Sequence, residues 1–248
     1  MDALYNHRSI RKYKSTTIPK AVIEKILNAG IRASTTGNMQ VYSIVATTDE
    51  TLKQELMNAH FGQGMVGQAP LVLTFCADFN RFSKWAEQRD ASPGYDNFLS
   101  FYTASIDALL VAQNVALAAE ENGLGICYLG TTTYMASTIT KILKLPRLVV
   151  PVTTLTVGYP DEQPPLTDRL PLEAVVHNET YNDYTPDAID KYYAEKENNE
   201  QYRQFVKENG KETLAQVFTD VRYKKDDNVA FSEAFLEVIK QQGFLDEE

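Results

Sequence analysis

The chain has 248 residues, of which 44% are hydrophobic and 23% charged, and its formal net charge is -9. This length can bury a core without disulfides or metals, and the composition is that of an ordinary soluble globular protein. The acidic balance argues against a nucleic-acid partner, because phosphate backbones are bound by clustered Lys and Arg.

A short basic stretch, "NHRSIRKY", opens this acidic chain. Its four basic residues surround the hydroxyl of Ser9, and they are His7, Arg8, Arg11 and Lys12. If the stretch is helical, Arg8 and Arg11 share a face. Guanidinium groups beside a hydroxyl suit a phosphate or a planar ring that bears carbonyls. The alternative is a solvated stretch that pairs with some of the 33 acidic residues, and charge alone does not decide between the two.

The next segments predict a helix, a loop and a strand. Apolar residues in "IPKAVIEKILNAGIRAS" recur at helical spacing, whereas "VYSIVATT" has the composition of a strand. Between them, "STTGNMQ" at 34–40 is rich in hydroxyl groups and indicates a loop. Such a loop can donate to a phosphate or a polyol, or it can simply satisfy its own backbone.

A second loop, "FGQGMVGQ" at 61–68, lies between a predicted helix, "ETLKQELMNA", and a predicted buried strand, "APLVLTFCADF". Its glycines around Gln63 allow either a close backbone approach to a ligand or a flexible connection. The glycine spacing is not a dinucleotide-binding fingerprint, because that motif follows a strand and opens a helix.

The segment from about 97 to 122 predicts a long helix with apolar residues on more than one face, which places it in the core or in a subunit interface. A strand "GICYLG", a helix "ASTITKILKL" and a strand "VVPVTTLTVGY" follow, then a Pro-rich extended connection, "PDEQPPLTDRLP". Polar helices are expected from about 186. Four strands interleaved with helices favour a layered α/β sandwich.

The cysteines and histidines do not form a pattern that predicts a metal site or a disulfide. Cys76 and Cys127 each lie in an apolar run, so buried reduced thiols are expected. The three histidines are far apart, and no structural zinc site is expected. The N-terminus lacks the apolar region of a signal peptide, and no uncharged apolar run is long enough to span a bilayer. We therefore expect a soluble cytoplasmic protein with no membrane partner.

Five pieces then occur in one order: "HRSIRKY", the hydroxyl loop, the Gly-Gln loop, "AQNVALAAEENGLG" with "YLG", and "KLPRLVVPVTTLTVGYP" with "DRLP". In this order the chain resembles the FMN-dependent nitroreductase family, above all the branch of the oxygen-insensitive major nitroreductases and NADPH-flavin oxidoreductases. The resemblance implies an α+β fold, a nitroreductase-like three-layer α/β/α sandwich with a mixed sheet, in an intertwined homodimer. It implies one domain over 1–248, with a helical extension from about 186.

The resemblance also implies which residues hold FMN. In the opening stretch, His7 and Ser9 would lie near the phosphate, Arg8 along the ribityl chain, and Arg11 at the pyrimidine end of the ring. A cation at that end favours the reduced, anionic flavin. The remaining implied positions are Thr35 and Thr36 from across a dimer interface, Gln63 at the ring edge, Tyr128, Leu129, Gly130 and Thr131 against the ring, and Arg169 beyond the phosphate.

Two positions depart from the family pattern. Close relatives commonly carry Lys-Pro-Arg where this chain has Thr167-Asp168-Arg169, so one phosphate cation is replaced by a hydroxyl. A charge-assisted hydrogen bond contributes roughly 1.5 to 3 kcal/mol, so FMN would bind on the order of 10-fold to 100-fold more weakly without compensation. In the C-terminal helices Lys196 remains, but Glu200 stands where a second cation for the NADPH 2'-phosphate would be expected. The choice between NADPH and NADH is therefore open.

The implied reaction passes a hydride from NADPH or NADH to flavin N5 and then two electrons to a nitroaromatic, a quinone or free flavin, in a ping-pong sequence. No protein residue is expected to act as a catalytic acid, base or nucleophile, and no metal is expected. Three alternatives remain: a reductase for one specific metabolite, a flavin-binding protein with little turnover, and an acidic helical interaction protein. Flavin absorbance and turnover with NADH and NADPH distinguish them.

Overall fold

The structure, a computed structural model, describes residues 2–245. These residues divide into two compact units. The first consists of the residues up to Pro165 together with those from Phe231 onward, and the second is Leu166–Ala230.

The first unit is built on a four-stranded sheet with the strand order β1-β2-β4-β3. Its strands are β1 (Tyr42–Thr47), β2 (Leu71–Asp78), β3 (Gly125–Leu129) and β4 (Val149–Gly158). Every residue of β2 is buried, as its continuous apolar run predicts for a strand that is covered on both faces. The four segments predicted as strands are confirmed.

Helices cover both faces of this sheet. In chain order they are α1 (Asp2–Asn6), α2 (Lys20–Gly30), α3 (Glu50–Ala59), α4 (Gly64–Gln68), α5 (Asn80–Glu87), α6 (Phe98–Glu121), α7 (Thr131–Tyr134) and α8 (Ala136–Ile142). A single turn of 3-10 helix, Thr36–Asn38, precedes β1. The long helix is capped where the sequence predicts, because the Asn97 side chain accepts the N–H of Ser100 and Gly123 adopts φ +76° just beyond the last turn.

The alternation of side chains along β2 separates two cores. Leu71, Leu73 and Phe75 pack in one cluster with residues of α2 and α6. Val72, on the opposite face, packs in another cluster with residues of α3, α4 and α8. The layers are therefore α2 with α6, the sheet, and α3 with α4 and α8. This arrangement confirms the predicted three-layer α/β/α sandwich.

The opening stretch is not helical beyond Asn6, the last residue of α1. The condition under which Arg8 and Arg11 would share a helix face is therefore not met. The stretch lies instead along β3, where Ser9 forms a parallel bridge with Ile126 and the Ile10 N–H donates to the Ile126 carbonyl at 2.8 Å. The named strands pair antiparallel throughout, so the mixed pairing expected of the sheet is present among residues 2–245 only at this edge bridge.

Helix α6 is the longest helix described in the first unit, and it packs in one of the two cores. By length and composition it could cross a membrane, a test that the core helix of a soluble protein also passes. One of its faces packs on the sheet, and its middle contains Asp107, which is fully buried. The Asp107 carboxylate accepts the N–H groups of Thr36 at 2.9 Å and Val41 at 3.3 Å. We therefore assign α6 as a core helix.

The second unit begins within the Pro-rich connection, at Leu166, and contains most of the polar C-terminal helices. Its helices are α9 (Pro186–Asn198), α10 (Glu200–Glu208) and α11 (Leu214–Gln216), followed by a π-helical turn, Val217–Arg222, and by the start of α12 (Lys225–Gln241). The Thr185 side chain caps α9 by accepting the N–H of Ala188, and Pro186 occupies the first turn, which needs no N–H donor from it. The polar helices predicted from about 186 are confirmed.

Candidate functional site

The opening stretch is anchored at the edge of the sheet by Tyr13. This side chain is buried, and its hydroxyl donates to the Ile10 carbonyl at 2.6 Å and lies 2.7 Å from Thr156 Oγ1. Burial raises the pKa of Tyr13 far above its usual value, although the hydrogen bond with Thr156 opposes this. Tyr13 is therefore a neutral anchor that fixes residues 9–13 beside β3.

Arg11 has a free guanidinium group. Its backbone N–H and that of Lys12 both donate to Glu162 Oε1, at 2.5 and 3.0 Å. The Arg11 side chain is exposed, and none of residues 2–245 forms a hydrogen bond or ion pair with its guanidinium. Burial raises the pKa of the Cys127 thiol, and the positive charge of Arg11 partly opposes this, so the guanidinium lies near β3. Arg11 is thus available to a ligand at that edge.

His7 and Arg8 are already engaged within the protein. His7 Nδ1 lies 2.6 Å from Glu120 Oε1 on α6. Arg8 donates from Nε to the Pro164 carbonyl and from Nη1 to the Asn6 carbonyl, both at 2.9 Å. These contacts tie the basic stretch to α6 and to Pro164, and they leave only part of each side chain for a ligand.

Arg8 also lines a cavity of about 530 Å³. Its other charged lining residues are acidic, and they are Asp2, Glu120, Glu121 and Glu162. Arg8 is therefore the cation among the charged residues that surround this cavity.

The Gly-Gln loop brings Gln63 and His60 to the hydroxyl of Thr131. Gln63 Nε2 donates to the His60 carbonyl at 3.1 Å and lies 3.3 Å from Thr131 Oγ1. His60 Nδ1 lies 2.7 Å from the same hydroxyl oxygen. Phe61 and Gly62 produce this geometry, because both adopt left-handed backbone conformations, at φ +57° and +69°, immediately after α3. A bulky residue such as Phe61 is rarely found there, which indicates a constrained turn.

His60 is fully buried, and burial lowers its pKa from 6.5 to about 4. The ring is therefore neutral at neutral pH. Its Nε2 atom is buried and has no hydrogen-bond partner among the residues that the structure describes. Sequence analysis missed this residue, although its position next to the glycine loop was a usable signal.

Hydrogen bonds from Thr132 anchor the end of β3. Leu129 is buried, and Thr132 Oγ1 lies 2.8 Å from the Leu129 carbonyl and 3.0 Å from Thr154 Oγ1. Gly130 stands on the open side of this turn, because a Cβ placed there would meet no atom within 4 Å. The Tyr128 hydroxyl donates to Gln113 Oε1 at 3.2 Å, which orients its ring along α6. A ligand atom could therefore approach Gly130 from this side without a clash.

Three separated segments meet at this point. Ile10 of the opening stretch, Met65 of the Gly-Gln loop and Leu129 of β3 belong to one buried cluster. Gln63 Nε2 lies 3.3 Å from Thr131 Oγ1, and Arg11 directly follows Ile10 of the same cluster. All three side chains can donate hydrogen bonds.

The hydroxyl loop lies elsewhere in the same chain. Thr36 is held by Asp107, whereas His7 is held by Glu120, thirteen positions further along α6. At about 1.5 Å per residue these anchors are roughly 20 Å apart along the helix axis. Thr35 is half-buried and Thr36 exposed, and within one chain they do not join the cluster beside β3. Asp107 was also missed, although an acidic residue in an apolar helix is a recognisable signal.

The second unit holds Arg169 and the residues that depart from the family pattern. Arg169 is exposed, and its Nη1 donates to the carbonyls of Thr167 and Asp168. The Asp168 carboxylate binds Lys196 Nζ at 2.6 Å and accepts the Tyr202 hydroxyl at 2.7 Å. Burial would raise the pKa of Asp168, but the hydrogen bonds from Lys196 and Tyr202 outweigh it and lower the pKa. Asp168 therefore neutralises Lys196, a pairing that the sequence did not reveal.

The model of the Nitroreductase family matches residues 4–159, and the chain belongs to this family. It is 34% identical over 210 residues to the FMN reductase (NADPH) of Bacillus subtilis (strain 168), a match that covers 80% of this chain and 84% of that protein. It is 32% identical over 220 residues to the oxygen-insensitive NADPH nitroreductase of Salmonella typhimurium (strain LT2), with 89% and 88% covered. A solved protein from Bacteroides fragilis NCTC 9343 is 53% identical, with a TM-score of 0.98 over 99% of this chain and 100% of that chain. These matches confirm the resemblance that the ordered motifs gave.

Proposed function

We propose that this protein is a cytoplasmic, homodimeric, FMN-dependent oxidoreductase that takes its electrons from NADPH or NADH. The relatives named FMN reductase (NADPH) and oxygen-insensitive NADPH nitroreductase support this class of reaction. We treat residues 1–248 as one nitroreductase-like domain with a helical extension from about 186. The buried, free cysteines suit the reducing conditions of a cytoplasm.

One observation supports the proposal: the opening stretch, the Gly-Gln loop and the end of β3 pack in one buried cluster, and Gly130, next to Leu129 of that cluster, faces open space. The ring of FMN presents nitrogen and carbonyl acceptors along one edge, and it needs a flat approach. Arg11, Gln63 and Thr131 supply a cation, an amide and a hydroxyl, and Gly130 leaves room for a plane. The donor set therefore fits the ring.

In this proposal the protein binds FMN and orients it, and FMN supplies the redox chemistry. When bound, FMN would supply the two-electron chemistry that connects a reduced nicotinamide to an oxidant such as a nitroaromatic, a quinone or free flavin. Arg11 would place its positive charge at the pyrimidine end of the ring, and Gln63 would hold the ring edge. Because Leu129 is buried and the Tyr128 ring lies along α6, the backbone of these residues would pass against the ring, and the Gly130 amide would face it. Because the reactive group belongs to FMN, we assign no catalytic acid, base or nucleophile to the chain.

At the proposed phosphate end of the site, cationic side chains already have partners within the protein. His7, Arg8, Ser9 and Arg169 are proposed to bind the phosphate and the ribityl chain. His7 and Arg8 would have to share their donors with Glu120 and with backbone carbonyls. This sharing and the loss of a cation at Thr167 both predict modest FMN affinity.

A homodimer would complete the site. One face of α6 exposes large apolar side chains at helical spacing, and they are Leu99, Tyr102, Ile106, Leu109 and Leu110. An exposed apolar stripe of this kind is typical of a subunit interface. Thr35 and Thr36 lie far from His7 along α6, so we propose that they reach the FMN of the partner subunit.

The nucleotide preference is proposed from the second unit. Names of relatives favour NADPH, but here Asp168 neutralises Lys196, and Glu200 adds a negative charge nearby in sequence. A 2'-phosphate would meet little free positive charge at these positions. We therefore propose that NADH is used at least as well as NADPH.

The test is turnover by purified full-length protein loaded with FMN, with NADH and NADPH compared and a quinone as oxidant. Oxidation of either nucleotide that depends on both FMN and the quinone supports the proposal. If the protein binds FMN but oxidises neither nucleotide, the flavin-binding alternative replaces it. If the protein binds no FMN, the acidic interaction protein replaces it.

A further inference from the structure

We propose that the Thr131 hydroxyl donates a hydrogen bond to an acceptor atom of the bound FMN ring, and that the buried His60 orients this hydroxyl. Thr131 would be a binding residue in contact with the cofactor, and His60 a positioning residue that acts through it. The inference rests on the proposed function, because it takes FMN as the ligand.

The first step concerns Gln63. Its Nε2 atom lies 3.1 Å from the His60 carbonyl oxygen, which can only accept. This contact fixes the orientation of the amide, so the atom 3.3 Å from Thr131 Oγ1 is the NH₂ nitrogen, which can only donate. One lone pair of the Thr131 oxygen is therefore occupied by Gln63.

The second step concerns the proton of His60. The ring is fully buried and its pKa is lowered to about 4 by burial, so it carries a single N–H. If that proton were on Nε2, it would be a buried donor with no partner among residues 2–245. If it is on Nδ1, it donates to Thr131 Oγ1 at 2.7 Å, and only a lone pair stays unpaired. Buried unpaired N–H groups are rare, so the Nδ1–H tautomer is favoured.

The third step follows from the valence of the hydroxyl. Thr131 Oγ1 has two lone pairs and one proton. With both lone pairs accepting, from Gln63 and from His60, the proton must point away from both partners. Thr131 is half-buried, and its neighbour Gly130 faces open space. Among residues 2–245 this proton then has no acceptor, which leaves it available to an acceptor atom of a ligand.

Removing the His60 N–H would undo this arrangement. The Thr131 hydroxyl would be free to rotate, and its donor would no longer be held toward the ligand. A change at His60 should therefore lower the affinity for FMN, and only in variants in which Thr131 still has its hydroxyl. A purely structural role of His60 would instead add to the effect of any change at Thr131.

The experiment is a double-mutant cycle on full-length holoprotein, with FMN release on dilution followed by flavin fluorescence. Thr131→Val keeps the shape and removes the hydroxyl, and it should weaken FMN binding on the order of 10-fold. His60→Leu should weaken it by a similar factor. The double variant should bind FMN no more weakly than Thr131→Val alone. His60→Asn can place an amide N–H near the position of Nδ1, and it should retain most of the affinity.

Unchanged FMN affinity in Thr131→Val would overturn the inference. Losses that multiply in the double variant would also overturn it, because His60 would then act independently of Thr131. An equal loss in His60→Asn and His60→Leu would show that the N–H is not what matters. Wild-type protein that binds no FMN would refute the proposed function itself, an outcome distinct from these three.

Discussion

Replacing Arg11 by Ala should separate ligand binding from fold stability. The Arg11 guanidinium is exposed and has no partner among the residues described, so its loss should change the free energy of unfolding by less than about 0.5 kcal/mol. The backbone N–H that binds Glu162 is unaffected by the substitution. If the side chain donates to the FMN ring, a charge-assisted hydrogen bond of roughly 1.5 to 3 kcal/mol is lost, and the Kd for FMN should rise on the order of 10-fold to 100-fold.

Lys12→Ala is the matched control. Lys12 is the next residue, is also exposed, and shares the same backbone contact with Glu162. Each substitution lowers the formal net charge of -9 by one unit, so a general electrostatic effect would be equal in the two variants. The assay combines fluorescence titration with FMN, urea unfolding, and the rate at which NADH or NADPH reduces the bound flavin. Equal Kd values and equal reduction rates in the two variants would refute the assignment of Arg11 to the ring.

Three further predictions address other parts of the molecule. Ile106→Glu puts a charge on the exposed apolar stripe of α6 and should yield monomer with reduced FMN content, and a dimer of normal mass in analytical ultracentrifugation would contradict this. Between pH 6.5 and about 4 only the unfolded state protonates His60, so stability should rise with pH through this window by up to roughly 3 kcal/mol. His60→Asn should flatten that slope in urea unfolding, and an unchanged slope would count against a buried neutral ring. Glu200→Arg should shift preference toward NADPH, and Asp168→Asn, which releases Lys196, should add to the shift. An unaltered ratio of kcat/KM for the two nucleotides would show that these residues do not contact the nucleotide.

The regular elements were predictable because local periodicity determines them. The sheet strands and the long helix α6 follow from the spacing of apolar residues along the chain. The opening stretch was harder to predict, because Ile10 and Tyr13 are three residues apart, as on a helix. Their actual partners, Ile126 and Thr156, are more than a hundred residues away, and no local pattern reveals them.

The site was predictable only in part for the same reason. The order of motifs implies Arg11, Gln63 and Thr131 as site residues, which stays a prediction, and the structure packs their three segments into one cluster. The contact between His60 and Thr131 spans 71 positions, and only the fold brings the two together. Asp168 was noted as a departure from the pattern, but its pairing with Lys196, 28 positions away, could not be inferred from its position.

The measurement that tests the central claim most directly is anaerobic titration of the purified holoprotein, followed by flavin absorbance. Addition of NADH or NADPH should bleach the visible flavin band, and subsequent addition of a nitroaromatic or a quinone should restore it. This result would show both halves of the electron transfer in one sample. A flavin band that neither nucleotide bleaches, in protein that retains FMN, would contradict the account.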